Sequence, residues 1–266
     1  MRKFALRAAV LLLAVLMVFA MSACSGKQEK ILKVGVKADV KGFGLKDAAT
    51  GTYSGMEVDL AKLIAEKLGY DGVEFTTVTA KTRTELLDNG TLDCVLATFT
   101  ITEARKESWD FSTPYYTDAV AVLVNKSLGI TNLAGLEGKK IGVSASSTSA
   151  KALVTAMAAQ GMCSAPGDEF SASGYTGPVS FVEFNDYPSI SQALTAGTVE
   201  AFCVDKSILA NYMTEDRMYL DDTFSPQDYG VATKKGSELS SKIDTLITGW
   251  LADGTIAGLI SQYGLD

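Results

Sequence analysis

The chain has 266 residues, of which 47% are hydrophobic and 21% charged, and it contains no histidine. This composition excludes a disordered or low-complexity protein, because enough apolar side chains are present to bury a core. Without histidine, neither a Ser-His-Asp triad nor a His-ligated zinc site can form. The four cysteines, at positions 24, 94, 163 and 203, include no C-x-x-C pair.

The N-terminal residues 1–23 are predicted to be a signal peptide. Three basic residues precede an apolar run at positions 8–21, which is shorter than the ~20 residues that span a bilayer. Cys24 follows Met-Ser-Ala and resembles the cysteine of a bacterial lipobox, which is lipidated and becomes the new N-terminus. We expect residues 24–30 to form a lipidated tether to the outer face of the cell membrane, or within the periplasm if the cell has an outer membrane. The alternative is an ordinary cleavage site with an unmodified cysteine.

The net charge excludes one class of partner. Removal of residues 1–23 leaves 21 basic against 31 acidic residues, a net charge of −10. Nucleic-acid binding depends on Lys and Arg that neutralise phosphates. We therefore expect no nucleic-acid partner.

The first half of the mature chain is predicted to alternate strands and helices. Apolar and β-branched runs predict strands at 31–37, 73–78, 92–98 and 119–125. Apolar residues at helical spacing predict helices at 56–68, 83–89 and 103–108, the last of them capped by Thr102.

The second half continues in the same way. Strands are predicted at 140–143, 179–184, 201–205 and 229–233, and helices from the end of the segment 144–148 to 159, at 188–196, at 208–214 and over most of 239–263. This alternation favours an α/β protein with parallel sheets and helices on both faces. Cys94 and Cys203 lie in apolar runs and are predicted to be buried as small hydrophobes, while Cys163 is predicted to be a free thiol in a loop.

Several motifs identify a family. They are GMEVDLA at 55–61, DCVLATFTITEARK at 93–106, DFSTPYY at 110–116, GTVEAFCVD at 197–205, and the blocks around 253–255 and 263–264. In this order they resemble the family 3 solute-binding proteins, the polar amino-acid receptors of ABC importers. The segments AKTR at 80–83, DYPSI at 186–190 and VDKSIL at 204–209 are most similar to the aspartate- and glutamate-binding members.

The resemblance implies a type II periplasmic-binding-protein-like fold, with two α/β lobes and a ligand cleft between them. It places lobe one at residues 31–117 plus 229–266 and lobe two at 118–228. Ligands of open α/β sheets bind beyond the carboxyl ends of the strands, which agrees with this placement. The stretch 162–175 is longer than the corresponding connection in the subgroup, and no function is assigned to it.

The resemblance also implies partners for the α-carboxylate and the ammonium group of a free amino acid. Arg105 is expected to bind the α-carboxylate through its guanidinium fork. Thr100 and Ser147-Thr148 are expected to add hydroxyl or N–H groups, and Asp205 to accept the ammonium beside the Thr98 carbonyl. The alternatives left open are a solvated arginine, an N-cap at Ser147-Thr148 and a turn role for Asp205.

The side-chain pocket follows from the same resemblance. Arg83 and Lys37 match positions that contact the distal carboxylate in acidic-amino-acid receptors, although as isolated residues both could be surface charges. Phe43 and Tyr187 are candidates for packing against the ligand's aliphatic part, or else core or rim aromatics. Val40 stands where the family's arginine and lysine receptors have an aromatic residue, which disfavours a cationic ligand.

The expected function is therefore a monomeric lipoprotein receptor that delivers glutamate or aspartate to an ABC permease, without cofactor, metal or catalytic activity. Glutamine or another polar amino acid is the first alternative. A dehydratase on the same fold would need a carboxylate or lysine acid in a chain without histidine. A sensory domain is disfavoured because the sequence to Asp266 shows no transmembrane helix or signalling domain.

Overall fold

The computed structural model describes residues 29–221 and 223–266, and residues Ile31–Asp266 form one compact unit. The predicted signal peptide and the predicted lipidation site Cys24 lie outside the described residues. The strands, in chain order, are β1 (Ile31–Val36), β2 (Asp39–Val40), β3 (Gly44–Lys46), β4 (Tyr53–Ser54), β5 (Gly72–Thr77), β6 (Cys94–Leu96), β7 (Trp109–Phe111), β8 (Tyr116–Asn125), β9 (Lys140–Ser144), β10 (Ser180–Phe184), β11 (Ala201–Asp205), β12 (Arg217–Tyr219), β13 (Phe224–Tyr229) and β14 (Ala232–Lys234).

The helices form where local capping and apolar spacing favour them. They are α1 (Met56–Lys67), α2 (Arg83–Asp88), α3 (Glu103–Ser108), α4 (Ser149–Ala159), α5 (Tyr187–Thr195), α6 (Lys206–Leu209), α7 (Glu238–Ala252) and α8 (Thr255–Gln262). The predicted cap is confirmed, since the Thr102 hydroxyl accepts the N–H of Arg105 at 3.2 Å. Asp186 caps α5 in the same way, at 2.8 Å from Ser189 N.

Two large sheets carry these helices. The first sheet has the strand order β5-β1-β6-β14-β7, and the second has the order β10-β9-β11-β8-β12, with β13 paired to β8. A small third sheet, β2-β3-β4, lies beside the first turn of α1. Gly55 is needed there, because its φ is 130° and an added Cβ would lie 2.1 Å from the Phe43 carbonyl oxygen.

The sheets are mixed, and the prediction of parallel sheets is wrong in this respect. Strands β1, β5 and β6 are parallel, as are β9, β10 and β11, but β14 runs antiparallel to β6 and β8 runs antiparallel to β11. The chain passes from the first sheet to the second along β8 and returns along β13. In the first sheet β14 runs against both of its neighbours, β6 and β7, and in the second sheet β8 runs against β11, β12 and β13.

The C-terminal third departs furthest from the predicted elements. The predicted strand 229–233 is two strands, because β13 stays with β8 while β14 joins β6, and Gly230 separates them. The predicted helix 208–214 is α6 followed by a 3₁₀ turn at Ala210–Tyr212, and the predicted helix 239–263 breaks at Gly254, whose φ is 84°. Short strands β2, β3, β4, β7 and β12 were not predicted, since two or three residues carry too little periodicity.

The core agrees with the cysteine predictions. Cys94 and Cys203 are fully buried free thiols within β6 and β11, and Cys163 is a half-buried free thiol. In the stretch 162–175, which has no predicted function, Phe170 and Tyr175 pack with ring centroids 5.7 Å apart. Tyr175 also packs on Phe181 of β10 at 5.6 Å. The stretch therefore adds an aromatic cluster to the second sheet.

Within the residues that the structure describes, no single helix is long and apolar enough to cross a membrane. Helices α7 and α8 together reach the length and composition of a span, but they are bent by 76° at their junction.

Candidate functional site

Polar side chains converge where strands of the two large sheets end. Lys37 follows β1, Thr98 follows β6, and Asp205 is the last residue of β11. Thr98 and Asp205 belong to the lining of a small cavity, which consists of Ala80, Arg83, Thr98, Thr100, Ser147, Thr148, Ser149, Tyr187, Val204 and Asp205. Seven of the ten ligand residues predicted from the sequence are in this lining; Arg105, Lys37 and Phe43 are not.

The cavity is nearly closed. Its free volume is about 10 Å³, which is about the room that one water molecule needs. A free amino acid can therefore enter only when the walls move apart. A larger groove of about 640 Å³ lies beside α3 and β7 and is lined by Trp109, Asp110 and Lys235 among others. We place the candidate site in the small cavity, because the buried ionisable groups converge there and not at the groove.

Arg105 lies at the edge of the cavity and ties two loops together. One of its N–H groups donates to the Thr100 carbonyl at 2.7 Å, and another donates to the Ser146 carbonyl at 3.2 Å. The guanidinium also lies 4.8 Å from the Phe99 ring centroid. Burial lowers the pKa of Arg105 to about 9, which leaves it charged at neutral pH. A guanidinium has five N–H donors, so three remain for an anion.

Arg83 is buried and not a surface charge. It is 3% exposed, and its guanidinium lies 3.7 Å from the same Phe99 ring centroid. Nη1 donates to the Ala97 carbonyl at 2.8 Å, whereas Nε has no hydrogen-bond partner among the described residues. Burial lowers the pKa of Arg83 to about 10. Phe99, which the sequence analysis did not single out, therefore stacks against both arginines.

Lys37 already has a protein partner. It is 1% exposed, its Nζ lies 3.2 Å from a carboxylate oxygen of Asp39, and it lies 4.4 Å from the Tyr187 ring centroid. Burial lowers the pKa of Lys37, and the ion pair with Asp39 opposes this shift. The two cations predicted for a ligand's distal carboxylate are thus both buried, and one of them is paired.

Glu57 is a site residue that the sequence analysis missed, because it reads as an ordinary acidic residue in the first turn of α1. It is fully buried. Oε1 accepts the Thr98 N–H at 2.7 Å and the Tyr115 hydroxyl at 2.5 Å, and Oε2 has no partner among the described residues. Burial raises the pKa of Glu57 to about 7, against the hydrogen bonds and the charge of Arg83, which favour ionisation.

The raised pKa of Glu57 predicts a pH-dependent stability. An unfolded glutamate has a pKa of about 4.3, so the folded state holds the proton more tightly. The contribution of the Glu57 proton to the free energy of unfolding is complete below about pH 4 and is lost as the pH rises through about 7. We expect Glu57→Gln, which cannot ionise, to gain about 2 to 3 kcal/mol of unfolding free energy relative to the wild type between pH 5 and pH 8.

Urea unfolding at both pH values measures this gain. The matched control is Glu66→Gln, an exposed position on the same helix, where the difference between pH 5 and pH 8 should be close to zero. A Glu57→Gln variant that follows the wild type at both pH values would show that Glu57 stays ionised in the folded protein.

Asp205 is buried at the end of β11 and accepts a hydrogen bond from the Tyr229 hydroxyl. The same hydroxyl lies 3.4 Å from a carboxylate oxygen of Asp118. Burial raises the pKa of Asp205 to about 7. A buried carboxylate with one neutral donor has room for a cationic partner, and a ligand ammonium would supply it.

Phe43 does not line the cavity. Its ring is fully buried in the core, with ring centroids 5.0 Å from Tyr116 and 5.8 Å from Tyr229. Phe43 was a candidate either for contact with the ligand or for a core or rim aromatic, and the structure shows it in the core. Tyr187, the other candidate, does line the cavity.

The segment at 147–148 differs from an ordinary N-cap. The Thr148 side chain makes no capping hydrogen bond, and its hydroxyl donates instead to Gln227 Oε1 at 2.7 Å. Ser147 Oγ accepts the Ser149 N–H at a long 3.4 Å. Within residues 29–221 and 223–266, no group of three His, Cys, Asp or Glu side chains is placed to hold a metal ion.

A family model and several known proteins match this chain over most of its length. The sequence-family model of the bacterial extracellular solute-binding proteins, family 3, matches residues 32–266. A glutamine-binding protein from Geobacillus stearothermophilus is 35% identical over 223 residues, which are 80% of this chain and 78% of that protein. The glutamine-binding protein of an ABC transporter from Bacillus subtilis (strain 168) is 33% identical over 226 residues, covering 83% and 76%.

A solved structure agrees with the fold. It is described as an ancestral arginine-binding protein bound to arginine, and it matches with a TM-score of 0.74 at 32% identity over 88% of this chain and 97% of that chain. The predicted fold class, α/β of the type II periplasmic-binding-protein kind, is confirmed.

Proposed function

The chain belongs to the bacterial extracellular solute-binding proteins, family 3, and we propose that it captures a free polar amino acid with an uncharged side chain, glutamine first among them. The observation that carries this proposal is the charge around the cavity. Three cations, Arg105, Arg83 and Lys37, face three carboxylates, Asp205, Glu57 and Asp39. When all six are ionised their charges cancel, which suits a zwitterion without net charge.

The α-groups of the ligand are assigned to the two best-placed residues. We assign the α-carboxylate to the free N–H groups of Arg105, together with the backbone N–H of Thr148 at the start of α4. Helix α4 has eleven residues, so its N-terminus favours an anion. We assign the ammonium to Asp205, with the Thr98 carbonyl beside it. Ser147 and Thr100 complete the walls.

The side-chain pocket favours an amide over a carboxylate. Lys37 is already paired with Asp39, and ionised Glu57 offsets the charge of Arg83, so above about pH 7 a distal carboxylate would add an uncompensated charge. The Arg83 Nε–H is unpaired among the described residues and can donate to an amide oxygen beside Tyr187. Two of the relatives reported above are named as glutamine-binding proteins, which supports glutamine over the glutamate or aspartate expected from the sequence motifs.

A thermal-shift panel tests this function. A ligand that binds only the folded protein adds about 2.7 kcal/mol of unfolding free energy at 100 times its Kd. We expect L-glutamine to raise Tm, L-glutamate and L-aspartate to raise it less at the same concentration, and D-glutamine, sugars and dipeptides to leave it unchanged. If no L-amino acid raises Tm, the receptor function is contradicted. A larger shift with L-glutamate would contradict only the neutral ligand.

Proteins of this family are extracellular, and we propose the lipid anchor at Cys24 as the means of retention at the membrane. Cys24→Ser is expected to release the mature protein into the medium or to leave an unprocessed precursor, because one residue carries the attachment. Incorporation of labelled palmitate measures the anchor, with Cys163→Ser as the matched control that keeps its label. Label that persists in Cys24→Ser would contradict the anchor.

The partners follow from the same function. We propose that a monomer delivers the amino acid to the membrane subunits of an ABC permease and has no catalytic activity. Two lobes, at 31–117 plus 229–266 and at 118–228, would open to admit the ligand and close around it. The strands of the first sheet fall within the first set of residues, which supports this division.

A further inference from the structure

Gln227, a residue that the sequence analysis did not single out, joins the two sides of the cavity. It lies on β13, the strand along which the chain returns from the second sheet, and is 2% exposed. Its Oε1 accepts the Thr100 hydroxyl at 2.8 Å and the Thr148 hydroxyl at 2.7 Å. Thr100 follows β6 of the first sheet, and Thr148 follows β9 of the second sheet. One buried amide oxygen therefore bridges groups from both sheets.

The orientation of this amide is fixed from its other end. Nε2 donates to the Ser225 carbonyl at 2.9 Å and to the Pro226 carbonyl at 3.2 Å. An amide nitrogen can only donate and an amide oxygen can only accept, so the oxygen must face the two threonines. Ser225 has a φ of 55°, and the register of β13 against β8 shifts between Phe224 and Pro226. The Gln227 side chain thus braces a β-bulge in a connecting strand.

From this geometry we propose that Gln227 is a positioning residue that holds the cavity closed around the ligand by tying Thr100 to Thr148. This inference rests on the proposed amino-acid-binding function. Moving the two sheets apart would separate Thr100 from Thr148 and break at least one of the two hydrogen bonds, so the pair stabilises the closed form. A contribution of this kind slows dissociation and leaves association almost unchanged.

The bridge also limits what the two threonines offer a ligand. A hydroxyl has one hydrogen, and in both residues it is donated to Gln227. The hydroxyl oxygens can still accept from the ligand's ammonium group, but they have no hydrogen left for its carboxylate. The α-carboxylate is then held by Arg105 and backbone N–H groups, and the hydroxyl of Thr148 has no part in binding it.

The test measures L-glutamine binding by calorimetry and its dissociation by a stopped-flow chase. Gln227→Leu removes the bridge at similar volume. The loss of two neutral hydrogen bonds predicts a 5- to 150-fold higher Kd. This increase should appear as faster dissociation, with the association rate almost unchanged. The matched control is Gln192→Leu, an exposed glutamine on α5, which should bind as the wild type does.

A double-mutant comparison separates positioning from a structural effect through the bulge. In a Thr100→Val/Thr148→Val background no bridge exists, so Gln227→Leu should change Kd by less than about twofold. An equal loss in both backgrounds, or no loss in the wild-type background, would overturn the proposal. If the wild type binds no amino acid at all, the proposed function fails first and the proposal fails with it.

A second pair of variants leaves Gln227 in place, in case its replacement prevents folding. Thr148→Val removes one hydrogen bond and is expected to raise Kd by about 2- to 12-fold, whereas Thr148→Ser keeps the hydroxyl and should restore binding. Thr155→Val, on the exposed side of the same helix, is the control. Equal binding by the Val and Ser variants at position 148 would overturn the bridge.

Discussion

Arg105→Ala is expected to weaken the binding of every amino-acid ligand by about 30- to several-thousand-fold. The change leaves the ligand's α-carboxylate buried without its cationic partner, which costs roughly 2–5 kcal/mol. The loss is the same for glutamine, glutamate and any other ligand, because the α-carboxylate is common to all of them. Isothermal titration with L-glutamine and L-glutamate measures it.

The neighbouring variant Lys106→Ala is the matched control. Lys106 is exposed and pairs with Glu103 at 2.8 Å, so its loss should leave Kd within about twofold. Arg105→Lys keeps the charge but loses the planar fork, and an intermediate affinity is expected. Normal binding by Arg105→Ala would mean that the carboxylate is held elsewhere.

Asp205→Asn is expected to have a loss of similar size, again about 30- to several-thousand-fold for all ligands. Asparagine keeps the shape and can still accept the Tyr229 hydroxyl, so the fold should be retained. What is lost is the negative charge that balances the ligand's ammonium. Titration with L-glutamine gives Kd, and Asp168→Asn, at an exposed position, is the control. Wild-type affinity in Asp205→Asn would assign the ammonium to another acceptor.

The pH dependence gives the same assignment an independent measurement. Because burial raises the pKa of Asp205 to about 7, protons compete with the ammonium below that pH. The wild-type affinity should fall as the pH falls, by about tenfold between pH 8 and pH 6. In Asp205→Asn this part of the dependence is expected to disappear. A wild-type Kd that is flat from pH 8 to pH 6 would contradict an ionised Asp205 as the ammonium partner.

Two features link these effects to the way the cavity is built. Arg105 and Arg83 both lie against the Phe99 ring, and like charges so close need nearby carboxylates. Asp205 and Glu57 supply them. Burial raises the pKa of both carboxyl groups, and the nearby cations oppose this rise. The site is thus a set of buried charges that balance one another, and replacing one of them by a neutral residue leaves its partner uncompensated.

The sequence alone determined the helices and most of the longer strands to within a few residues, because apolar periodicity and caps such as Thr102 are local properties. It also determined the family, since the motifs occur in order along nearly the whole mature chain. The short strands, the six-residue strand β13 and the break at Gly230 escaped it. The direction of β8 and β14 depends on which sheet each strand joins, and no local pattern encodes that choice.

Only the tertiary structure decided which charges face one another. Glu57 reads as a first-turn acid, and Gln227 lies before the predicted strand 229–233 in no predicted element, and nothing within a few positions of either suggests burial. Both become site residues because Thr98, Thr100 and Thr148 are brought to them from 41 to 127 positions away. Lys37 was predicted to meet a ligand carboxylate, and the fold pairs it with Asp39. Burial, pairing and charge balance are properties of packing between distant segments, and a linear sequence holds them only implicitly.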